Sequence, residues 1–220
     1  MLDENPSIFL GILAVLALIV GIIAYFVFVY PGNNNQLETL LLQNSEKDLE
    51  DNVETKNTGN ESETKKEETQ FRPRVLTKPG FSISIPQGWT EADPSSGSAL
   101  ALVVEEGQKA NFTTYYSINS HSLRKYTFEE YIEEVKVGLV QTIETIDFLR
   151  EEENKINGEP AFFIETKSYQ QGINFRSLLV FVEGEGNVIW AISFNTLEDK
   201  WPEYRDLFYQ TAKTFKLQAS

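Results

Sequence analysis

Residues 148–195 read FLREEENKINGEPAFFIETKSYQQGINFRSLLVFVEGEGNVIWAISFN, and this stretch decides the fold. Short turn sequences divide it into apolar-rich runs, and Asn157-Gly158 is the sharpest turn because both residues enter the left-handed backbone region cheaply. Strands are predicted at 148–156, 161–169, 174–182 and 188–195. Because consecutive strands are joined by short turns, the pattern predicts an antiparallel sheet.

An amphipathic helix precedes this stretch and another follows it. Thr127 and Glu130 have the spacing of a capping box, in which each side chain binds the other residue's backbone N–H. An apolar helical stripe then comprises Phe128, Tyr131, Ile132, Val135, Leu139, Ile143 and Ile146. The last helix is predicted over 199–215, with Pro202 in its first turn, where the missing N–H costs nothing. Its buried stripe is predicted to be Trp201, Tyr204, Phe208, Ala212 and Phe215.

Shorter strands are predicted upstream of the first helix. Residues 75–78 suit a short edge strand, and 81–85 alternate apolar and polar side chains. Residues 99–105 and 111–118 read as a hairpin joined near Gly107. The order of strands, helix, four strands and helix predicts an α+β domain over 71–220, with a mainly antiparallel sheet packed between amphipathic helices.

The N-terminal part of the chain contains an unbroken apolar run at 8–30, without a charge or a proline. Twenty-three residues at about 1.5 Å each reach roughly 34 Å, which is enough to cross a hydrocarbon core of about 30 Å. The run is predicted to be a transmembrane helix that follows a short tail at 1–7. Because that tail is acidic and no small-residue cleavage site follows the run, an uncleaved signal-anchor is expected.

Residues 31–70 are predicted to be a disordered acidic linker. Between Glu38 and Glu68 there are ten acidic residues against four basic ones, too polar a composition to form a core. A flexible chain of this length spans roughly 35 Å on average. The linker would hold the domain near the membrane. We expect the domain to lie outside the cytoplasm and 1–7 inside, because basic residues are scarce after the span and the first is Lys47.

Composition excludes several kinds of function. The net charge is −14 and no cluster of basic residues is present, so nucleic acid is not an expected partner. Cysteine is absent and His121 is the single histidine, which leaves no set of zinc ligands or cysteine nucleophile. Ser120 and Ser122 flank His121, but no Gly-x-Ser-x-Gly motif accompanies them. The sequence therefore predicts a protein that is not an enzyme and holds no cofactor.

Acidic and aromatic residues are the remaining candidates for a site. Glu105-Glu106 and 151–153 offer oxygen ligands for calcium, although neighbouring glutamates on a strand point to opposite faces. The three tryptophans, Trp89, Trp190 and Trp201, are predicted to be core residues. Tyr115 and Tyr116 are adjacent on a strand and cannot both face one side. One of the two is expected to be exposed or to line a groove, which makes them the preferred interaction surface.

Four motifs occur in a characteristic order: GFSISIPQGW at 80–89, TFEEY at 127–131, INGEPA at 156–161 and KTFKL at 213–217. Together they resemble the PsbP-like family, which has the fold of the extrinsic oxygen-evolving subunit of plant photosystem II. The resemblance covers 78–217 and implies an antiparallel sheet between helices. It implies no enzymatic activity, because the family offers no catalytic motif to transfer, and it does not imply a photosynthetic role.

Two hypotheses follow for function. The first is a single-pass membrane-anchored protein whose extracytoplasmic PsbP-like domain is a non-enzymatic accessory or interaction module with a protein partner. The second is a membrane-tethered domain that binds a small ligand or a metal such as calcium.

Overall fold

A computed structural model describes residues 74–94, 99–107, 112–123, 125–170 and 172–218. In chain order the elements are β1 Arg74–Lys78, β2 Phe81–Ile85, β3 Trp89–Ala92, β4 Ala101–Glu105, β5 Tyr115–Ser122, α1 Phe128–Thr142, β6 Thr145–Ile156, β7 Glu159–Gln170, β8 Ile173–Gly184, β9 Val188–Leu197, α2 Trp201–Ala212 and β10 Lys216–Leu217. A 3-10 turn at Glu198–Lys200 leads into α2. The predicted order of strands, helix, four strands and helix is confirmed, and β10 follows it.

The strands form two antiparallel sheets. The larger has seven strands in the order β3-β4-β5-β9-β8-β7-β6, and the smaller has the order β1-β2-β10. The pairing of β4 with β5 confirms the predicted hairpin. The sequence did not indicate that the first two strands leave the main sheet. It also did not predict β3.

The central hairpin confirms the predicted turn at Asn157-Gly158. Asn157 has φ 53° and Gly158 has φ 101°, while Ile156 and Glu159 pair across the turn. Both central residues therefore occupy the positive-φ region that the sequence indicated.

The predicted helical stripe extends too far at its C-terminal end. Helix α1 ends at Thr142, Ile143 is its extended C-cap, and Ile146 lies in β6 opposite Ser168. The prediction that Ile143 and Ile146 belong to the helix is wrong. Pairing with β7 from Thr145 onward provides backbone hydrogen bonds that outweigh the helical spacing of these two residues.

The two helices lie on opposite faces of the large sheet. On β8, Leu178 and Val180 belong to the cluster that contains α2 residues, whereas Leu179 belongs to the cluster that contains α1 residues. Side chains alternate between the faces of a strand, so the sheet separates α1 from α2. The predicted layering of sheet between helices is therefore observed.

The core on the α2 face is largely aromatic, and the small sheet packs into it. Trp89, Trp190 and Trp201 are 3%, 8% and 6% exposed, which confirms that the tryptophans are core residues. Phe81 of the small sheet lies 5.2 Å from Trp190 between ring centroids. The Tyr116 hydroxyl of the large sheet donates to the Ser84 carbonyl at 3.0 Å, which joins the two sheets directly.

The predicted tail at 1–7, transmembrane helix at 8–30 and linker at 31–70 lie outside the described residues. Within the described ranges, neither helix is long and apolar enough to cross a bilayer.

Candidate functional site

An open groove of about 420 Å³ lies between the start of α1 and the end of the β6–β7 hairpin. Its lining is Phe128, Glu129, Ile132, Glu133, Glu153, Asn154, Lys155, Pro160, Ala161 and Phe162. Strand β6 is the edge of the large sheet in the part of the chain that the structure describes, and no further described strand of that sheet lies beyond it. A volume of this size is within the range of ligand and side-chain pockets.

The capping box fixes where one wall of the groove begins. The Glu130 N–H donates to Thr127 Oγ1 at 3.2 Å, and the Thr127 N–H donates to Glu130 Oε2 at 2.8 Å. This start places Phe128 and Ile132, four residues apart, on one face of α1. Phe162 contributes from β7, where its buried neighbour Phe163 faces the α2 side. The result is an apolar floor made by two distant segments.

The rim of the groove is acidic. Glu129, Glu133 and Glu153 are exposed there, with Lys155 as the basic residue. Lys136 binds Glu133 at 3.1 Å and Glu151 at 2.9 Å, and the hydrogen bond to Glu151 is the main reason that its pKa is raised. No ion pair joins Glu129 or Glu153 to another residue in the described ranges. An apolar floor beneath unneutralised carboxylates suits a cation that carries an apolar group.

Three of the five predicted calcium ligands, Glu105, Glu151 and Glu152, are already engaged with other side chains. Glu151 binds Lys136, and Glu152 accepts from Arg150 at 2.6 Å and from Asn154 at 3.1 Å. Glu105 accepts from the Tyr204 hydroxyl at 2.5 Å, and burial followed by this contact raises the pKa of Tyr204 to about 12. In the part of the chain that the structure describes, no three histidine or acidic residues lie close enough to hold a metal ion.

The expectation that Tyr115 or Tyr116 is exposed is wrong, because both side chains are 0% exposed. The two do face opposite sides, but both sides of the sheet are covered at this strand. Tyr116 packs against Trp89 and Phe194 on the α2 face, and Tyr115 packs 5.9 Å from Phe112 on the other. Burial raises both tyrosine pKa values well above the ordinary value. Because neither side chain is exposed, neither tyrosine offers a surface that a partner could contact in the folded domain.

His121 lies on β5 opposite Ile189 and is half-buried. Its Nε2 is buried and has no hydrogen-bond partner among the described residues. Burial lowers the pKa of the imidazole, which is therefore neutral near pH 7. Ser120 and Ser122 point to the opposite face of the strand from His121, so these residues form no catalytic pair.

A buried carboxylate that the sequence reading missed lies at the centre of the α2 interface. Glu165 is 4% exposed. Its Oε1 accepts from Arg205 Nε at 3.1 Å, Arg205 Nη2 at 2.8 Å and the Tyr209 hydroxyl at 2.8 Å, and its Oε2 accepts from Arg176 at 3.1 Å. We name Glu165, Arg176, Arg205 and Tyr209 the α2 clamp. Glu165 follows the buried Phe163 at a spacing of two on β7, and that spacing was the available indication that it faces inward.

Aromatic rings contact the side chains of the α2 clamp in addition to its ion pairs. The Arg176 guanidinium lies 4.7 Å from the centroid of the Trp201 ring, and the Tyr209 ring stacks on Phe163 at 5.6 Å. Burial alone raises the pKa of Glu165, but hydrogen bonds from Arg205 and Tyr209 and the charges of both arginines outweigh it, so the pKa is lowered. The contacts of Arg205 and Tyr209 with Glu165, of Tyr209 with Phe163 and of Trp201 with Arg176 fasten α2 to the sheet.

The domain with this sheet, these helices and this groove is a PsbP domain. The sequence profile of the PsbP family matches residues 69–217, and the chain belongs to that family, which confirms the resemblance. A search of curated proteins found no relative at a significant level of similarity.

Two of the solved structures that are similar to this chain, CyanoP and LpqN, share its fold at low sequence identity. The cyanobacterial PsbP protein CyanoP from Synechocystis sp. PCC 6803 is 15% identical, with a TM-score of 0.52 over 67% of this chain and 92% of CyanoP. LpqN from Mycobacterium tuberculosis, a protein involved in cell envelope biogenesis, is 10% identical, with a TM-score of 0.51 over 68% of this chain and 92% of LpqN. The Ran-binding protein Mog1p from Saccharomyces cerevisiae is 9% identical, with a TM-score of 0.49 over 67% of this chain and 96% of Mog1p.

Proposed function

We propose that this chain is a single-pass membrane protein whose extracytoplasmic PsbP domain binds a protein partner and catalyses no reaction. The observation that carries the proposal is the open groove of about 420 Å³ between α1 and the β6–β7 hairpin. The groove combines a buried apolar floor with polar side chains at its mouth, which is the usual composition of a recognition site.

A non-catalytic role is supported by the state of the side chains that an enzyme would use. His121 is neutral and half-buried, and the two serines beside it, Ser120 and Ser122, face the other side of β5. Glu165 is fully occupied by two arginines and a tyrosine. Neither residue lines the groove.

Membrane attachment is supported by the apolar run at 8–30 and the acidic composition of 31–70. Long segments that carry few basic residues near the span are well tolerated on the translocated side. A linker of forty residues allows the domain to reach partners within roughly 35 Å of its anchor point.

The partner hypothesis is tested by crosslinking the full chain in its native membrane and identifying the captured proteins. We expect one specific protein to be enriched over a tagged control protein with an unrelated domain. Absence of any specific capture, together with substrate turnover by the purified chain, would overturn the proposal.

Topology is tested with a single cysteine, because the natural chain has none. Ser62→Cys in the predicted linker is expected to react with a membrane-impermeant thiol reagent on intact cells. Ser7→Cys, on the other side of the predicted span, serves as the matched control and is expected to react after lysis. The reverse pattern would place the domain in the cytoplasm.

A second candidate function, small-ligand binding, is favoured by the volume of the same groove. Calorimetric titration of the full chain with calcium and a panel of metabolites distinguishes it from partner binding. Calcium is a weak candidate because Glu151 and Glu152 already bind neighbouring cations. A flat response to the whole panel would leave the protein partner as the occupant of the groove.

A further inference from the structure

We infer that the groove binds a cationic segment of the protein partner, which places an apolar side chain on the floor and lysine or arginine side chains at the rim. This inference rests on the proposed function and specifies the chemistry of the partner.

The floor of the groove is apolar and would be best covered by an apolar side chain of the partner. The apolar surface that the groove leaves in contact with solvent is mainly that of Phe162, which is half-buried, and Pro160, which is exposed, while Phe128 and Ile132 beneath them are 9% and 2% exposed. A side chain the size of leucine or phenylalanine that covered this floor would remove apolar surface from water on both partners. Such burial is the main favourable contribution in most protein associations.

Both walls of the groove carry negative charge. Helix α1 contains four glutamates and one lysine, and β6 contains four acidic and two basic residues. At the mouth, Glu129 and Glu153 lack an ion pair among the described residues, whereas Glu133 shares Lys136 with Glu151. A cationic ligand would neutralise the two available carboxylates.

The charge of the chain itself selects against two other occupants. A second copy carries a net charge of −14, and the linker at 31–70 has an excess of acidic residues. Either would bring like charge to an acidic rim, which is unfavourable. A separate protein with a basic segment is the occupant that fits.

The edge of the sheet lets this segment approach but does not favour strand addition. Among the described residues, strand β6 pairs with β7 alone, so they leave its other side open. However, its register shifts between Phe148 and Arg150, and charged side chains follow at 150–153. Bulges and charges of this kind disfavour continuous pairing with another strand. Recognition therefore comes from side chains that enter the groove.

Binding is tested by fluorescence anisotropy with the full chain in a nonionic detergent and three labelled peptides. The probes are Lys-Phe-Lys-Leu-Lys, Lys-Ser-Lys-Ser-Lys, which lacks the apolar groups, and Glu-Phe-Glu-Leu-Glu, which reverses the charge. We expect the first peptide to bind at least about fivefold more tightly than either of the others.

Two matched double variants separate the groove from general attraction to an acidic protein. Glu129→Gln with Glu153→Gln removes the rim charges, and Asp199→Asn with Asp206→Asn removes the same charge from exposed positions near and on α2. The rim variant is expected to weaken binding of Lys-Phe-Lys-Leu-Lys by about 2-fold to 30-fold, the range given by two exposed ion pairs. The control is expected to change binding by less than twofold.

Equal weakening by the two variants would overturn the inference, because it would show that net charge alone attracts the peptide. Phe162→Ala provides a second arm that removes part of the floor and leaves the charge unchanged. It is expected to weaken binding of Lys-Phe-Lys-Leu-Lys but not of Lys-Ser-Lys-Ser-Lys, with retained folding verified by its urea midpoint. Unchanged binding of both peptides would also contradict the inference.

A photocrosslinking residue in the native membrane separates failure of this inference from failure of the proposed function. It is placed at Glu129 on the rim or at Gln210, which is exposed on α2. We expect capture from position 129, through a partner segment that is basic and contains an apolar residue. Capture from position 210 alone would overturn the groove assignment but keep a protein partner. Capture from neither position would count against both.

Discussion

Replacing Glu165 by glutamine is expected to destabilise the domain strongly although the shape of the side chain is kept. The carboxylate of Glu165 is 4% exposed and accepts hydrogen bonds from three residues of the α2 clamp. An amide has one acceptor oxygen and one donor nitrogen. If the oxygen stays with Arg205 and Tyr209, the amide nitrogen faces the guanidinium of Arg176, and two donors then oppose each other.

The expected loss is about 3 kcal/mol. A hydrogen bond to a charged group contributes about 1.5–3 kcal/mol, and a neutral one about 0.5–1.5 kcal/mol. The variant loses the Arg176 bond entirely and weakens those from Arg205 and Tyr209. The side chains of Arg176 and Arg205 remain 16% and 35% exposed, so water recovers part of the loss, which keeps the value below the upper range for a broken buried ion pair.

The measurement is urea unfolding followed by tryptophan fluorescence, because Trp201 contacts Arg176 within the α2 clamp. With a slope of about 2 kcal/mol per molar, the midpoint is expected to fall by roughly 1.5 M. Glu153→Gln, the same change at an exposed position, is expected to stay within about 0.5 kcal/mol of the natural chain. A loss below about 0.5 kcal/mol for Glu165→Gln would refute the reasoning.

The pH dependence provides an independent measure of the same charge. The pKa of Glu165 is lowered in the folded state, so its contribution is present above the unfolded value, about 4.3, and is lost as pH falls through the folded value. The natural chain is therefore expected to lose more stability than Glu165→Gln when the pH falls below about 4. Parallel pH profiles would indicate that the carboxylate is not held ionised by its neighbours.

Three further substitutions test the local structure by the same urea titration. Gly158→Val is expected to cost at least about 1 kcal/mol because φ is 101° there, and Gly158→Asn less; equal effects would contradict a strained turn. Gly184→Ala is expected to cost about 1–3 kcal/mol because its Cβ would lie 2.9 Å from the Trp190 indole nitrogen; no change would show that the ring moves freely. Thr127→Ala is expected to cost about 1 kcal/mol through loss of the capping box, and Thr127→Ser much less.

The elements that the sequence predicted well are those that local chemistry determines. The turn at Asn157-Gly158 depends on two residues that tolerate positive φ, and the start of α1 depends on Thr127 and Glu130. The strands next to such turns are paired with their neighbours along the chain. Each of these features is determined by a few residues that are adjacent in the sequence.

Features that depend on distant pairing were not predictable in this way. Strand β10 has two residues and exists because Leu217 pairs with Phe81, more than a hundred positions earlier. Strand β3 has only four residues and forms by pairing with β4. A run this short has no measurable periodicity, and the separation of the strands into two sheets depends on how the whole core packs.

In the candidate site, too, local features were predictable from the sequence and features that depend on distant contacts were not. Adjacent residues on a strand do face opposite sides, but whether Tyr115 or Tyr116 reaches solvent depends on what covers each face. The groove joins Phe128 to Phe162 across more than thirty residues, so it exists only after α1 docks on the hairpin. The burial of Glu165 was not predictable because a glutamate on a strand is usually exposed. Its two cationic partners come from β8 and α2, so they are brought to it only by the complete fold.

The position of β1, where the described domain begins, relative to the groove affects how a membrane-attached domain would meet its partner. Strand β1 begins at Arg74, and Leu76 packs into the cluster that contains α2 residues. The groove lies against α1, on the opposite face of the large sheet. Under the proposed membrane attachment, the chain would enter the domain at β1 on the α2 side, and the acidic rim lies on the other face of the large sheet. Under the same proposal, a linker that spans roughly 35 Å would leave the mouth of the groove accessible to a second membrane protein beside the anchor.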